Sequence, residues 1–271
     1  MAKYALTVGI NRYGHGNDLS GCTNDAEDWT AALTARGYTV TKMLDATATG
    51  ENITTGIAEL VANAKRGDSV VITYSGHGTW VPDTSGDEPD GRDEAICPVD
   101  LWDHGVITDD TLHDLFSAHE PGVRAVFISD SCHSGSVSRF APPLRPDYDP
   151  TEPILAHRRP RYLAPEAFLT AFDLRRAARV EHRALAGRPR FANLLIAGCK
   201  DGEYSYDAWF GGRANGAFTR AALDAFAQQS GDRTYRQWFA DVRRRLPSED
   251  FPDQTPQLYG TSTQKHWRAL T

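Results

Sequence analysis

His77 and Cys132 lie 55 positions apart, each at a glycine-containing break: Tyr74-Ser75-Gly76-His77-Gly78 and Asp130-Ser131-Cys132-His133-Ser134-Gly135. A thiolate attacks an acyl carbon readily, and an imidazole can pass a proton to a leaving amine. The pair therefore has the residue types for amide cleavage through a thioester. Taken singly, each has an ordinary explanation: most free cysteines are small buried hydrophobes, and a turn histidine can be satisfied by one backbone partner. The chemical reading rests on the two occurring together. Cys22 (before a helix), Cys97 (in a short apolar segment) and Cys199 (after a strand) have no such company. Four cysteines are too few for a disulfide scaffold in this length, and no CxxC pair points to zinc.

The elements that must position the pair can be read from periodicity. Ala5 to Ile10, Tyr38 to Leu44, Ser69 to Tyr74, Arg124 to Ser129 and Asn193 to Ala197 read as strands, with a short apolar segment at Ala95 to Val99. Asn24 to Glu27 has the form of a capping box ahead of Trp29 and Leu33, with Gly37 as the stop. Ile53, Ile57, Leu60, Val61 and Ala64 share a helical face; Thr108 caps a helix carrying Leu112, Leu115 and Phe116. Phe218 to Phe226 and Thr234 to Leu246 read as helices, and Gln254 to Leu258 closes the chain. Strands alternating with helices imply βαβ units, an α/β fold with a mostly parallel sheet covered on both faces. In such sheets chemistry gathers at strand carboxyl ends. His77 and Cys132 both fall there, so neighbouring strands would present them at one edge.

The chain has 271 residues, enough for one large domain, and its 40% hydrophobic and 24% charged residues fit a soluble globular class. A net charge of −7 argues against a nucleic-acid partner. No apolar stretch is long enough to cross a bilayer, and the start, running from Met-Ala-Lys into a strand, has no leader pattern; a cytoplasmic setting without membrane partners is expected. Charge is unevenly spread. Asp83 to Asp114 holds eleven acidic residues and one basic residue, Arg92, whereas Arg139 to Arg190 holds eleven arginines against six acids. The second stretch reads as a long connection, extended in its Pro-rich first half and helical from Leu163 to Leu185. Solvated surface is the plain account of both. The whole chain, 1–271, is expected to form a single domain: 1–138 with both chemical residues, the 139–190 connection, and 191–271.

The two Gly breaks resemble the catalytic motifs of the metacaspases, caspase relatives of plants, fungi, protists and bacteria, here of bacterial type. Val8-Gly9-Ile10-Asn11 with Leu19-Ser20-Gly21-Cys22-Thr23-Asn24-Asp25-Ala26 is similar to the family's N-terminal block, and Gly86 to Glu94 to the loop after the histidine. Ala197-Gly198-Cys199-Lys200-Asp201 and Gly216-Ala217-Phe218-Thr219 resemble its C-terminal, small-subunit-like part. Only 139–190 has no counterpart, and the Gln-Ala-Cys of animal caspases is absent. The resemblance implies the caspase-hemoglobinase fold. It also implies a Cys-His dyad in which Cys132 attacks the scissile carbonyl and His77 protonates the departing amine. Backbone N–H groups of Gly78 and Cys132 would hold the oxyanion.

Cleavage after Arg or Lys is implied as well, with Cys22, Asp25, Ser75 and Asp130 at the family's pocket positions. Two partly buried carboxylates suit a guanidinium and would reject aspartate. Asp25 also fits the first turn of its helix, and Asp130 the ordering of the nucleophile loop. The family's calcium ligands correspond to Asp93, Asp109 and Asp110, but the fourth position is Arg139, a cation that would repel calcium. Asp109 and Asp110 equally suit the first helical turn after Thr108. No cofactor is required by this reading, and calcium stays an open expectation. The reading is thus a cysteine endopeptidase of metacaspase type acting on proteins or peptides with Arg or Lys at the cleaved position. Self-cleavage is expected at Arg158, Arg159, Arg161, Arg175, Arg176 or Arg179. The alternative from another class is a catalytically weak caspase-like interaction or scaffold module, against which intact His77 and Cys132 argue. A related hydrolase or transferase using the same thioester is a third.

Overall fold

The computed structural model describes residues 1–84, 86, 91–132, 154–169, 193–227 and 232–271. The main sheet consists of β1 (Lys3–Gly9), β2 (Thr39–Leu44), β3 (Ser69–Ser75), β7 (Arg124–Asp130), β9 (Leu194–Ala197) and β12 (Gln257–Tyr259), in the order β12-β9-β7-β3-β1-β2. All neighbours pair parallel except β12, which closes one edge antiparallel to β9. β3 is buried along its whole length, as a central parallel strand covered on both faces must be, which is why Val70, Val71 and Ile72 run without polar alternation.

Successive residues of the strands feed two cores. Ala5, Val71, Val126, Ile128 and Ile196 pack with Trp29 and Leu33 of helix Cys22–Thr34, Phe218 of helix Ala217–Ala227 and Trp238 of helix Tyr235–Arg243. Leu6, Val70, Ile72 and Phe127 pack with Ile53, Ile57 and Val61 of helix Gly50–Asn63 and Phe116 of helix Asp109–Ser117. The expected helix-sheet-helix arrangement is therefore the one observed. Among the described residues no helix is long and apolar enough to cross a membrane.

Three local expectations are corrected. The first helix begins at Cys22 with Gly21 as its N-cap and no side-chain cap. Asn24 and Asp25 lie inside its first turn, and their side chains go elsewhere, Asn24 to the Ala214 carbonyl (2.8 Å) and Asp25 to Arg161 (2.6 Å). The acidic stretch after His77 is not only solvated surface, since β4 (Gly78–Pro82), β5 (Arg92–Ile96) and β6 (Ile107–Thr108) form an antiparallel sheet. From Leu163 on, the described residues hold one short turn, Pro165–Ala167, and the rest of the expected helix lies outside them.

A third sheet decides how the site is arranged. β8 (Arg159–Pro160), from the Arg/Pro connection, pairs antiparallel with β10 (Tyr206–Phe210), which pairs with β11 (Arg213–Gly216). Tyr206 stands opposite Pro160, and Asp207 opposite Arg159. Part of the connection is thus built into the fold at the carboxyl end of the main sheet.

Candidate active site

β3 and β7 end in register, Ser75 opposite Asp130. His77 and Cys132 each follow two residues later, so one pair of neighbouring strands delivers both, as the sequence implies. Both are buried. His77 is held from several sides: its N–H donates to the Tyr13 hydroxyl (3.0 Å), the Tyr74 hydroxyl donates to its carbonyl (2.7 Å), and the Tyr13 ring lies 4.7 Å from the imidazole. Imidazole Nε2 lies 2.7 Å from the Asn17 carbonyl oxygen. A carbonyl only accepts, so Nε2 carries the hydrogen and Nδ1 is the basic nitrogen. Nδ1 is buried and has no hydrogen-bond partner among the described residues. Burial, more than any neighbour, pushes the His77 pKa down to about 4, so the ring is neutral and able to accept a proton at ordinary pH. Cys132 Sγ receives the Ser205 N–H at 2.7 Å, and its thiol donates to the Ser205 carbonyl oxygen at 3.3 Å.

The groove beside these residues is filled by the chain itself. The Arg161 carbonyl oxygen accepts from Gly78 N–H (2.9 Å) and from Cys132 N–H (3.2 Å), the two groups the family resemblance assigned to an oxyanion. Arg161 N–H donates to Ser205 O (2.8 Å) and Leu163 N–H to Gly78 O (2.9 Å), so Arg161 to Leu163 runs extended between two backbones. The Arg161 side chain is 0% exposed. Its guanidinium meets Asp25 at 2.6 Å, Asp130 at 3.1 Å and Asp207 at 3.0 Å. Two pocket aspartates read from the sequence thus converge on one cation. The third carboxylate, Asp207, was not foreseen.

Each carboxylate is fixed by other donors, which is what makes the pocket preorganised. Asp25 accepts from Asn215 Nδ2 (2.9 Å) and Gly216 N–H (3.0 Å); Asp130 from Thr219 N–H (2.9 Å), Thr219 Oγ1 (2.7 Å) and the Ser205 hydroxyl; Asp207 from Ser20 N–H (2.8 Å) and Gly21 N–H (2.9 Å). Gly216 has to be glycine, because a Cβ there would run into the Asp130 carboxylate and the Arg161 guanidinium. Burial, partly offset by Arg161, pushes Asp25 up to about 7. Cys22 is buried near these charges, and burial above all keeps its thiol protonated. Ser75 is buried at the end of β3, next to Asp130 in the ladder.

Tyr13, Asn17, Ser205, Asp207, Asn215 and Thr219 were not singled out from sequence, although Gly216 to Thr219 formed one of the resembling blocks. The polar run Ser205-Tyr206-Asp207, placed after a strand, was the available signal for Asp207. Of the expected metal ligands, Asp93 lies on β5, and Asp109 and Asp110 occupy the first turn after the Thr108 cap. The Ala95↔Thr108 pairing carries all three to one end of the β5–β6 ladder. Among the described residues, however, no three His, Cys, Asp or Glu side chains form a group that could hold a metal ion. His133, Ser134, Gly135, Arg139, Arg175, Arg176 and Arg179 lie outside the described residues.

The caspase-domain family model matches residues 2–267. The chain is 32% identical over 282 residues to Metacaspase-1 of Mycosarcoma maydis, covering 94% of this chain and 69% of that protein. It is 45% identical over 146 residues to Metacaspase-1A of Neurospora crassa, covering 50% of this chain and 32% of that one. With Metacaspase-4 of Arabidopsis thaliana the identity is 41% over 147 residues. The chain therefore spans about a third to two thirds of the length of these relatives. Among solved structures, protein GSU0716 from Geobacter sulfurreducens superposes with a TM-score of 0.73 at 30% identity, covering 100% of this chain and 99% of that one. With a match along nearly its whole length, the chain belongs to the caspase-domain peptidase family, among the metacaspases.

Proposed function

We propose that this chain is a cysteine endopeptidase that cuts after arginine or lysine, and that its first substrate is its own Arg161–Tyr162 bond. One observation carries the reading: the Arg161 side chain sits among three fixed carboxylates while its carbonyl oxygen rests on Gly78 N–H and Cys132 N–H. That is the placement a scissile residue needs, with the side chain recognised and the reacting carbonyl polarised at the nucleophile's own backbone.

The chemistry follows from these positions. Cys132 passes its proton to His77 Nδ1, and Sγ attacks the Arg161 carbonyl carbon. The electrons displaced onto oxygen are held by the two N–H donors. Collapse of this intermediate breaks the C–N bond as His77 gives its proton to the Tyr162 nitrogen, which leaves as an amine. Nδ1 then takes a proton from water, whose oxygen attacks the thioester. The products are an Arg161 carboxylate and the restored thiol.

Fluorogenic peptides test the reading. Substrates ending in Arg or Lys should be cut and those ending in Asp should not. Cys132→Ala and His77→Ala should each abolish turnover with the circular dichroism unchanged. Turnover retained by Cys132→Ala, or a preference for Asp, contradicts it. One feature favours a second reading, that of a catalytically weak module: Cys132 is fully buried in the filled groove. If Arg161 is a permanent plug, no peptide is cut under any condition.

A further inference from the structure

Resting on the peptidase reading, we infer that the groove contains a second cation subsite, which reads an arginine three residues before the cleaved one. In the bound segment this residue is Arg158. Its guanidinium carbon lies 4.4 Å from the centre of the Tyr206 ring. Nη1 donates to the Asp250 carbonyl (2.8 Å) and lies 3.5 Å from Asp253 Oδ1. The side chain is only 18% exposed.

The subsite is built on groups fixed independently of Arg158. Tyr206 belongs to β10, is 2% exposed, and is flanked by Tyr204 and Phe251 with ring centres at 6.0 and 5.8 Å. Its hydroxyl donates to Asp253 Oδ2 at 2.6 Å, which orients the carboxylate toward the same guanidinium. An aromatic face, a carbonyl and a carboxylate together match a guanidinium: the ring quadrupole attracts the cation, and the oxygens take its N–H groups. Arg159, between the two subsites, donates to the Asp18 carbonyl, with the Asp207 and Asp18 carboxylates as its charged neighbours. β10 links the two cation sites, since Asp207 points into the first and Tyr206, one residue earlier and on the opposite face of the strand, forms the second. The ligand class is therefore an extended basic peptide with arginines at these two positions.

Two measurements test this on the full chain. The first compares kcat/KM for the fluorogenic peptides Arg-Arg-Pro-Arg and Ala-Arg-Pro-Arg. Wild type should favour the first by about tenfold. In Asp253→Lys the ratio should fall to about one or below, and Glu-Arg-Pro-Arg should gain on Ala-Arg-Pro-Arg. The second measures binding without turnover: the alkylation rate of Cys132 by iodoacetamide, read by mass spectrometry in a His77→Ala background. Adding Arg158→Ala or Asp253→Lys should loosen the segment and speed labelling several-fold. Equal turnover of the Arg and Ala peptides, or unchanged alkylation in both variants, overturns the subsite. Absence of any peptide cleavage by wild type instead overturns the peptidase reading, and the alkylation rates still decide whether Arg158 anchors the segment.

Discussion

Asp25 is a carboxylate whose charge can change near neutrality. Its pKa is raised to about 7, first by burial and then by Asp130, with Arg161 opposing. Below that value the folded pocket holds a neutral Asp25 and attracts a cation less; above it, the carboxylate contributes fully. KM for Arg peptides is therefore expected to fall as pH rises from 6 to 8. In Asp25→Asn that slope should disappear. His77, held near 4, is already neutral across this range and contributes no such slope. A slope that survives in Asp25→Asn would assign it to another group. Asp207 permits a second test. It bonds the same guanidinium nitrogen as Asp25 does, and it is fixed by Ser20 and Gly21. Removing one partner of a buried charge pair costs about 3–5 kcal/mol in the limit of full burial. Asp207→Asn should therefore raise KM for Arg peptides at least tenfold and affect kcat less. An unchanged KM would remove Asp207 from the pocket.

At the scale of elements, the segment around Arg161 is both a strand and a stopper. It joins β10 on one side and reaches Gly78 on the other, covering Cys132. What keeps it there is mainly the guanidinium, because β8 is only two residues long. Arg161→Ala should then free the groove. Alkylation of Cys132 should speed up relative to wild type, and peptide turnover should begin without a lag. If Cys132 labelling is not accelerated, backbone pairing and the Arg158 contacts hold the segment and the pocket is not the anchor.

For the molecule as a whole, the long elements were legible in the sequence and the short ones were not. β1, β3 and β7 appear as apolar, β-branched runs because a central parallel strand is buried on both faces. Their equal endings made the neighbouring positions of His77 and Cys132 deducible. β8, β10 and β11 have no comparable signature: they are two to five residues long, and their pairing joins the connection to a distant strand. Asp207 could not be seen without that pairing. Nor could one tell which of six candidate arginines would occupy the pocket, since only the fold fixes the reach of the connection. The capping box at Asn24 failed for a related reason, as tertiary partners claim both Asn24 and Asp25.

The acidic stretch bears on the whole molecule too. Arg139 stands where the family resemblance implies a fourth calcium-binding carboxylate, and a fixed cation there repels calcium, so peptide turnover in the presence of a chelator is expected to stay within about twofold of that in millimolar calcium. A loss of activity on chelation that calcium restores would return Asp93, Asp109 and Asp110 to a metal site.

If Arg161 lies in the groove as substrate, intact-mass spectrometry reads its cleavage outright. Wild-type protein and Cys132→Ala, purified in parallel and incubated at pH 8, are compared. Wild type should separate into residues 1–161 and 162–271 while Cys132→Ala remains whole. Identical intact masses in a wild-type sample that turns over Arg peptides, or a cut at any other arginine with Arg161–Tyr162 left intact, would contradict it.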